Sequence, residues 1–179
     1  INNINMILDE YSKMELEDDE DIALLNQFKG DAHFARAFYY NELALRWAKA
    51  YNPETASSDL GVPLVLEVDY TVMPARETLE NVYKQILSDI SQAKTLLSGQ
   101  EGSQGSNYFN IDVVTALEAR VKLYMQDWPG ALTAANSLIS GGKYPLINTE
   151  EDLIDMWTND MEQEVIFQSY VNKPTELGN

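Results

Sequence analysis

The amino-acid sequence predicts a mainly α-helical fold, built of tetratricopeptide-like helical hairpins with short extended segments. Apolar residues recur every three or four positions from Leu79 to Leu97, which is the spacing of one buried helix face. The helical patterns at Val113–Met125 and Pro129–Ile139 follow each other with only a short break. Alanines in the second arm allow two helices to approach closely, which is typical of tetratricopeptide repeats.

The first element is predicted as a short amphipathic helix, because Ile4, Ile7, Leu8 and Tyr11 fall at helical spacing. An acidic run follows it. We predict that this run is a solvated loop, since like charges in a block usually mark exposed chain. It lacks the alternating ligands, the central glycine and the closing glutamate of an EF-hand loop, so calcium binding is disfavoured. The acidic residues are Glu15, Glu17, Asp18, Asp19, Glu20 and Asp21.

A long helix is predicted from Asp31 to Tyr51, where the chain is rich in alanine and has no glycine or proline. Apolar residues surround most of its circumference, which indicates a helix sandwiched between others. We expect it to pair with the helix Leu79–Leu97. Pro53 ends it, because the residue before a proline is disfavoured in helical geometry. The segment Gly61–Leu66 is predicted to be extended and to lie over the helices.

Helix starts are marked by residues whose side chains accept hydrogen bonds from free backbone N–H groups. Thr78, Asn110 and Asp127 stand at the three positions expected for such caps, and Pro129 is suited to a first helical turn. After the hairpin we predict a short helix at Glu151–Trp157 and a strand at 164–171. The strand has no evident partner, so we expect the isolated chain to be poorly stable.

The composition excludes several classes of protein. The net charge of −17, from 29 acidic and 12 basic residues, would repel phosphate backbones, so nucleic acid is not an expected partner. The chain has no cysteine, which excludes disulfides and thiolate metal sites. No segment approaches the roughly 20 apolar residues that a membrane helix requires. We predict no catalytic residue, metal site or cofactor.

Several motifs stand in order along the chain: Gly30–Tyr40, Gly61–Val65, Pro74–Ile86 and Ala116–Ala131. In this order and at these spacings they resemble the SusD/RagB family of outer-membrane nutrient-binding lipoproteins. Glu164–Phe167 is similar to the E-x-I-F strand of that family, and the resemblance extends from residue 1 to residue 171. It implies a SusD-like α/α superhelix. Residues 1–179 would then be an internal fragment of a longer protein.

The resemblance implies a surface-exposed lipoprotein of the outer membrane that binds a nutrient, most simply a glycan, without catalysis. Its partner would be a SusC-like TonB-dependent porin. It would contact the membrane only through a lipid anchor outside this chain. The alternative is a tetratricopeptide-like scaffold for protein–protein interaction without ligand binding. A hydrolase with paired carboxylates is a more distant alternative, because the sequence does not show the separation of its acids.

Aromatic residues in or beside loops could stack on the apolar face of a sugar ring, although packing against a helix end is the commoner role of such residues. They are Tyr51, Tyr70, Tyr108 and Trp157. The ligand-contacting residues of the family lie in divergent loops, so none can be assigned by motif. The single histidine, His33, is interpreted as a structural helix residue.

Two arginines within the motifs are predicted to be buried, on the basis of helical geometry. Arg36 points away from the polar side of its helix, and Arg120 lies inside the apolar arc formed by Leu117, Val121 and Tyr124. A buried guanidinium is costly unless its donors are paired. We therefore expect both side chains to bond to carboxylates or helix-end carbonyls and to fix the register of neighbouring helices.

Overall fold

A computed structural model describes residues 1–69, 71–159 and 161–169, and this part of the chain confirms the mainly α-helical fold. The described residues form no β-strand, and they contain one isolated antiparallel bridge between Leu60 and Thr78. The helices are α1 (Asn2–Ser12), α2 (Asp19–Trp47), α3 (Leu79–Leu96), α4 (Ile111–Tyr124), α5 (Trp128–Ser140) and α6 (Glu150–Asn159).

Helix α2 begins well before the predicted position, and it does so within the acidic run. Asp18 is its N-cap and accepts hydrogen bonds from the backbone N–H groups of Glu20 and Asp21, at 2.8 and 3.4 Å. The carboxylates of the first turn also face the positive end of the helix dipole. The prediction of a loop is therefore wrong from Asp19 onward, although residues 14–18 are non-helical and exposed.

Gly30 lies inside α2 and not at its start. The absence of a side chain at this position permits close packing of α2 against the end of α3. A Cβ atom at this position would lie 2.6 Å from Cγ of Leu97, at the end of α3. The helical cost of glycine, about 1 kcal/mol relative to alanine, is thus offset by the approach of two helices. The helix ends at Trp47, earlier than the predicted Tyr51.

The helices form a sequential array in which α1 packs on α2, α2 on α3, α3 on α4, and α4 on α5. The predicted pairing of α2 with α3 and the hairpin of α4 with α5 are confirmed. Helix α6 contacts none of the other helices described here. The centre of the core lies between α2, α3 and α4, where the large buried side chains are Tyr40, Leu79, Val82, Ile86, Ile90, Leu97, Val114 and Val121.

The three predicted N-caps are confirmed. The Thr78 hydroxyl accepts from the backbone N–H of Asn81 at 3.2 Å. The side chain of Asn110 accepts from two N–H groups at the start of α4, and Asp127 accepts from the N–H of Gly130 at 3.1 Å. These caps set the first residues of α3, α4 and α5.

The segment after Gly61 is extended and covers the helices, as predicted. Tyr40 of α2 holds it in place: its hydroxyl accepts from the backbone N–H of Val65 at 2.7 Å and donates to the carbonyl of the same residue at 2.9 Å. The Val62 side chain is buried against the core. Both backbone groups of Val65 therefore bond to Tyr40, and the carbonyl also accepts from Nδ2 of Asn5 at 2.6 Å.

The strand predicted from Glu164 is not formed in the described residues, and its last positions, 170 and 171, lie outside them. Glu164 has a φ of 65°, which is left-handed geometry and incompatible with a strand. The segment instead makes two backbone hydrogen bonds, from Gly105 N–H to the Val165 carbonyl and from Gln168 N–H to the Ser106 carbonyl. It thus has a partner within the chain, contrary to expectation.

Candidate functional site

A buried polar cluster joins the first three helices. Arg36 of α2 donates from Nε to Oδ2 of Asp89 at 2.9 Å and from Nη2 to Oδ1 at 2.7 Å, a bidentate pair with a carboxylate of α3. Its Nη1 donates to Oδ1 of Asn5 on α1 at 3.1 Å. These three residues are nearly inaccessible to solvent. Arg36 therefore lies where its predicted structural role requires it.

His33 also belongs to this cluster. Its Nδ1 lies 2.8 Å from Oδ1 of Asp89. Burial alone would raise the pKa of Asp89, but hydrogen bonds from His33 and Arg36 outweigh burial and hold this pKa below its usual value. Asp89 is therefore an ionised carboxylate that is fully engaged by its neighbours. Because Asn5, Arg36 and Asp89 are buried and His33 is only partly exposed, the chemistry of the cluster fits helix registration rather than contact with a ligand.

The structure corrects the prediction for Arg120. This side chain is exposed, and it has no hydrogen-bond or ion-pair partner among the described residues. The helical-wheel argument placed it correctly beside Leu117, which is buried. Burial fails because no described element covers this face of α4 at the level of Arg120.

Arg120 instead lines an open groove of about 700 Å³, which we call the aromatic groove. The ring of Phe109 lies 4.5 Å from that of Phe34 and 5.3 Å from that of Phe167, between ring centroids. No pattern in the sequence indicates this site, because its walls come from three distant parts of the chain. They are Phe34, Ala35, Phe38, Tyr39, Phe109, Val113, Ala116, Leu117, Arg120 and residues 164–167.

The aromatic candidates for sugar stacking have different environments. Tyr51 is half-buried and packs edge-on against Tyr83, with ring centroids 4.9 Å apart. Tyr108 is 44% exposed and Trp157 is 81% exposed, so both present aromatic surface to solvent. Tyr70 lies outside the described residues. None of the three described candidates lines the aromatic groove.

Other kinds of site receive no support from the described residues. They contain no group of three or more acidic or histidine side chains placed to hold a metal ion. No helix in this part of the chain combines the length and apolar character needed to cross a membrane.

The fold and the hairpin define a tetratricopeptide-like helical protein, and comparison of sequences identifies its family. Residues 1–123 match the SusD-like family, which is described as starch-binding and associating with the outer membrane. The match covers more than half of the chain, and the chain therefore belongs to the SusD-like family.

Individual relatives agree with this assignment. A SusD-like protein of Formosa agariphila is 27% identical over 139 residues, which are 75% of this chain and 24% of the relative. The solved structure of a SusD superfamily protein from Bacteroides thetaiotaomicron superposes with a TM-score of 0.82 at 28% identity, covering 96% of this chain and 37% of that one. That of a putative sugar binding protein from Bacteroides vulgatus gives 0.76 at 30% identity, covering 92% and 36%. The chain thus spans between 24% and 37% of their lengths.

Proposed function

We propose that this chain is the helical-repeat region of a cell-surface nutrient-binding protein that captures a glycan and works with a SusC-like TonB-dependent porin. The observation that carries the proposal is the family match over residues 1–123, together with a shared fold over 96% of the chain. Residues 1–179 would be an internal part of a longer lipoprotein whose lipid anchor lies elsewhere. The proposed activity is binding without catalysis.

The exposed aromatic side chains support binding of a glycan. Trp157, at 81% exposure, offers a flat apolar surface of the kind on which sugar rings stack. The test is calorimetric titration of the whole protein with neutral and acidic oligosaccharides, including starch fragments. We expect one class to bind and Trp157→Ala to weaken that binding at least tenfold. Trp47→Ala is the matched control, because Trp47 is also exposed, at 70%, and also lies in the last turn of a helix, but on α2 instead of α6.

If no oligosaccharide in the set binds, the proposal of a glycan ligand is overturned. Equal affinities of the Trp157→Ala and Trp47→Ala proteins would remove Trp157 from the site while leaving the ligand class intact. Release of new reducing ends during incubation would contradict binding without catalysis.

The outer face of α5 supports docking of a protein partner. Leu132 and Ile139 follow Trp128 by 4 and 11 residues, so the three side chains share one face of the helix. They are 59 to 70% exposed. A row of large exposed apolar side chains on a surface helix, which we call the α5 stripe, is typical of an interaction site. We assign it to the porin contact.

Charge insertion into the stripe tests this assignment. Leu132→Glu should abolish co-purification of the porin from detergent extracts, whereas Thr133→Glu, one residue along on the exposed surface, should leave it unchanged. Equal recovery of the porin with both variants would refute the assignment. The same stripe also favours the second candidate function, a scaffold for protein–protein interaction without a ligand. Binding to the porin without binding to any of the oligosaccharides would identify such a scaffold.

A further inference from the structure

Arg120 differs from the other arginines of the chain. Arg36 is paired with Asp89, Arg46 with Glu42, and Arg76 donates to backbone carbonyls that include Gly61. Arg120 has no partner among the described residues, although the chain carries an excess of carboxylates. An unpaired guanidinium beside apolar walls therefore needs an explanation.

The chemistry of the aromatic groove indicates what would fill it. Tyr39 and Phe167 expose 52% and 39% of their surface, next to buried Phe34. Arg120 and Glu164 are the charged groups on its lining, and a carboxylate oxygen of Glu164 already accepts from the backbone N–H of Ile147. A ligand with many hydroxyl groups would find few partners there, and unpaired hydroxyls in an apolar site are costly. Apolar polypeptide is a better match.

We propose that the aromatic groove seats an apolar segment of the same protein, which carries a carboxylate that pairs with Arg120. Charge complementarity selects the carboxylate, because a guanidinium that is covered by apolar surface is stable only with an anionic partner. The length of the solved relatives favours a segment of the same polypeptide, since this chain covers 37% and 36% of them. Residues 164–167 form one wall of the groove. The proposal does not depend on glycan binding.

Residues 1–179 contain no cysteine, so thiols introduced among them can be compared in the whole protein, with the parent protein as the labelling background. Tyr39→Cys places a thiol on the groove wall, and Lys84→Cys places one on α3, where the lysine side chain is 63% exposed. Labelling by a maleimide should be at least tenfold slower for Tyr39→Cys. Comparable rates would mean that the groove is open and would overturn the proposal.

The contribution of the ion pair is tested by adding Arg120→Gln to both cysteine variants. We expect labelling of Tyr39→Cys to become several times faster, because the covering segment loses its charged anchor, whereas labelling of Lys84→Cys should not change. An unchanged rate at Tyr39→Cys would show that no carboxylate pairs with Arg120.

The occupant is identified by cross-linking. Arg120→Lys supplies a primary amine, which a carbodiimide couples to an adjacent carboxylate as an amide with loss of water. Peptide mapping should find the cross-link to an acidic residue of the same polypeptide that lies outside residues 1–169. A cross-link to Glu164 alone, to a second copy or to another protein would overturn the proposal, as would a reading frame that contains no further chain.

Discussion

Replacing Arg36 with methionine should strand the carboxylate of Asp89 in the core. Methionine keeps an unbranched apolar stem but removes both hydrogen bonds to Asp89 and the one to Asn5. The Asp89 side chain is 1% exposed, so water cannot replace the lost donors. Removing one partner of a buried ion pair costs about 3 to 5 kcal/mol. Because His33 remains bonded to Asp89, we expect a loss of about 3 kcal/mol, at the lower end of this range.

The assay is urea unfolding at pH 7, with the free energy of unfolding compared at unchanged denaturant dependence. Arg46→Met is the matched control, because Arg46 lies on the same helix and its side chain is 62% exposed beside Glu42. Exposed pairs of this spacing contribute about 0.5 kcal/mol or less. If Arg36→Met lowers the free energy of unfolding no more than Arg46→Met does, the ion pair of Arg36 with Asp89 does not stabilise the fold as described.

The pH dependence of the same pair gives an independent check. In the folded protein the pKa of Asp89 lies below its usual 3.8, so the stabilisation is present above that pH and is lost as the pH falls through the folded value. In the Arg36→Met protein, burial is opposed by fewer donors, and the pKa of Asp89 should rise. Its carboxyl would then become neutral at mildly acidic pH. The stability difference between the two proteins should therefore shrink below about pH 5, and a difference that is constant from pH 7 to pH 4 would contradict this account.

Three further substitutions test other parts of the fold by the same unfolding assay. Burial raises the pKa of Asp31 to about 6, so ionisation of this side chain opposes folding as the pH rises from about 4 to 6. Asp31→Asn should therefore raise the free energy of unfolding by about 1 to 2 kcal/mol at pH 7 and leave it almost unchanged at pH 4. Gly30→Ala should destabilise by about 1 to 2 kcal/mol despite the better helix propensity of alanine, because its Cβ would lie 2.6 Å from Cγ of Leu97; an increase in stability would refute the close approach. Tyr40→Phe removes both hydrogen bonds to Val65 and should cost about 1 to 2 kcal/mol, with faster hydrogen exchange at the Val65 amide.

Local chemistry made the helix starts at α3, α4 and α5 predictable. An N-cap depends on a side chain and on N–H groups two or three residues away, so Thr78, Asn110 and Asp127 could be read from short stretches of sequence. The start of α2 is an exception for a tertiary reason. Gly30 resembles a helix boundary locally, but contact with Leu97, far along the chain, makes a glycine favourable inside the helix.

Long-range contacts also explain what the sequence did not show about the candidate site. Phe34, Phe109 and Phe167 lie on three separate segments, and no periodic pattern within one segment relates them. The strand predicted at 164–171 had a suitable composition, but the left-handed backbone at Glu164 redirects the chain into the groove wall. Backbone geometry of this kind is set by the surroundings more than by the residue itself.

The contrast between Arg36 and Arg120 shows that the position of a residue on a helix face and its burial are two separate questions. Helical geometry determines which residues share a face, and it assigned both arginines to apolar faces correctly. Burial depends in addition on what lies opposite that face. Opposite Arg36 stand α1 and α3, with Asn5 and Asp89 as acceptors; opposite Arg120 lies the aromatic groove. An arginine on the apolar face of a helix therefore predicts a contact with another element. Where the described residues provide no such contact, as at Arg120, we expect a further segment of the protein to cover that face.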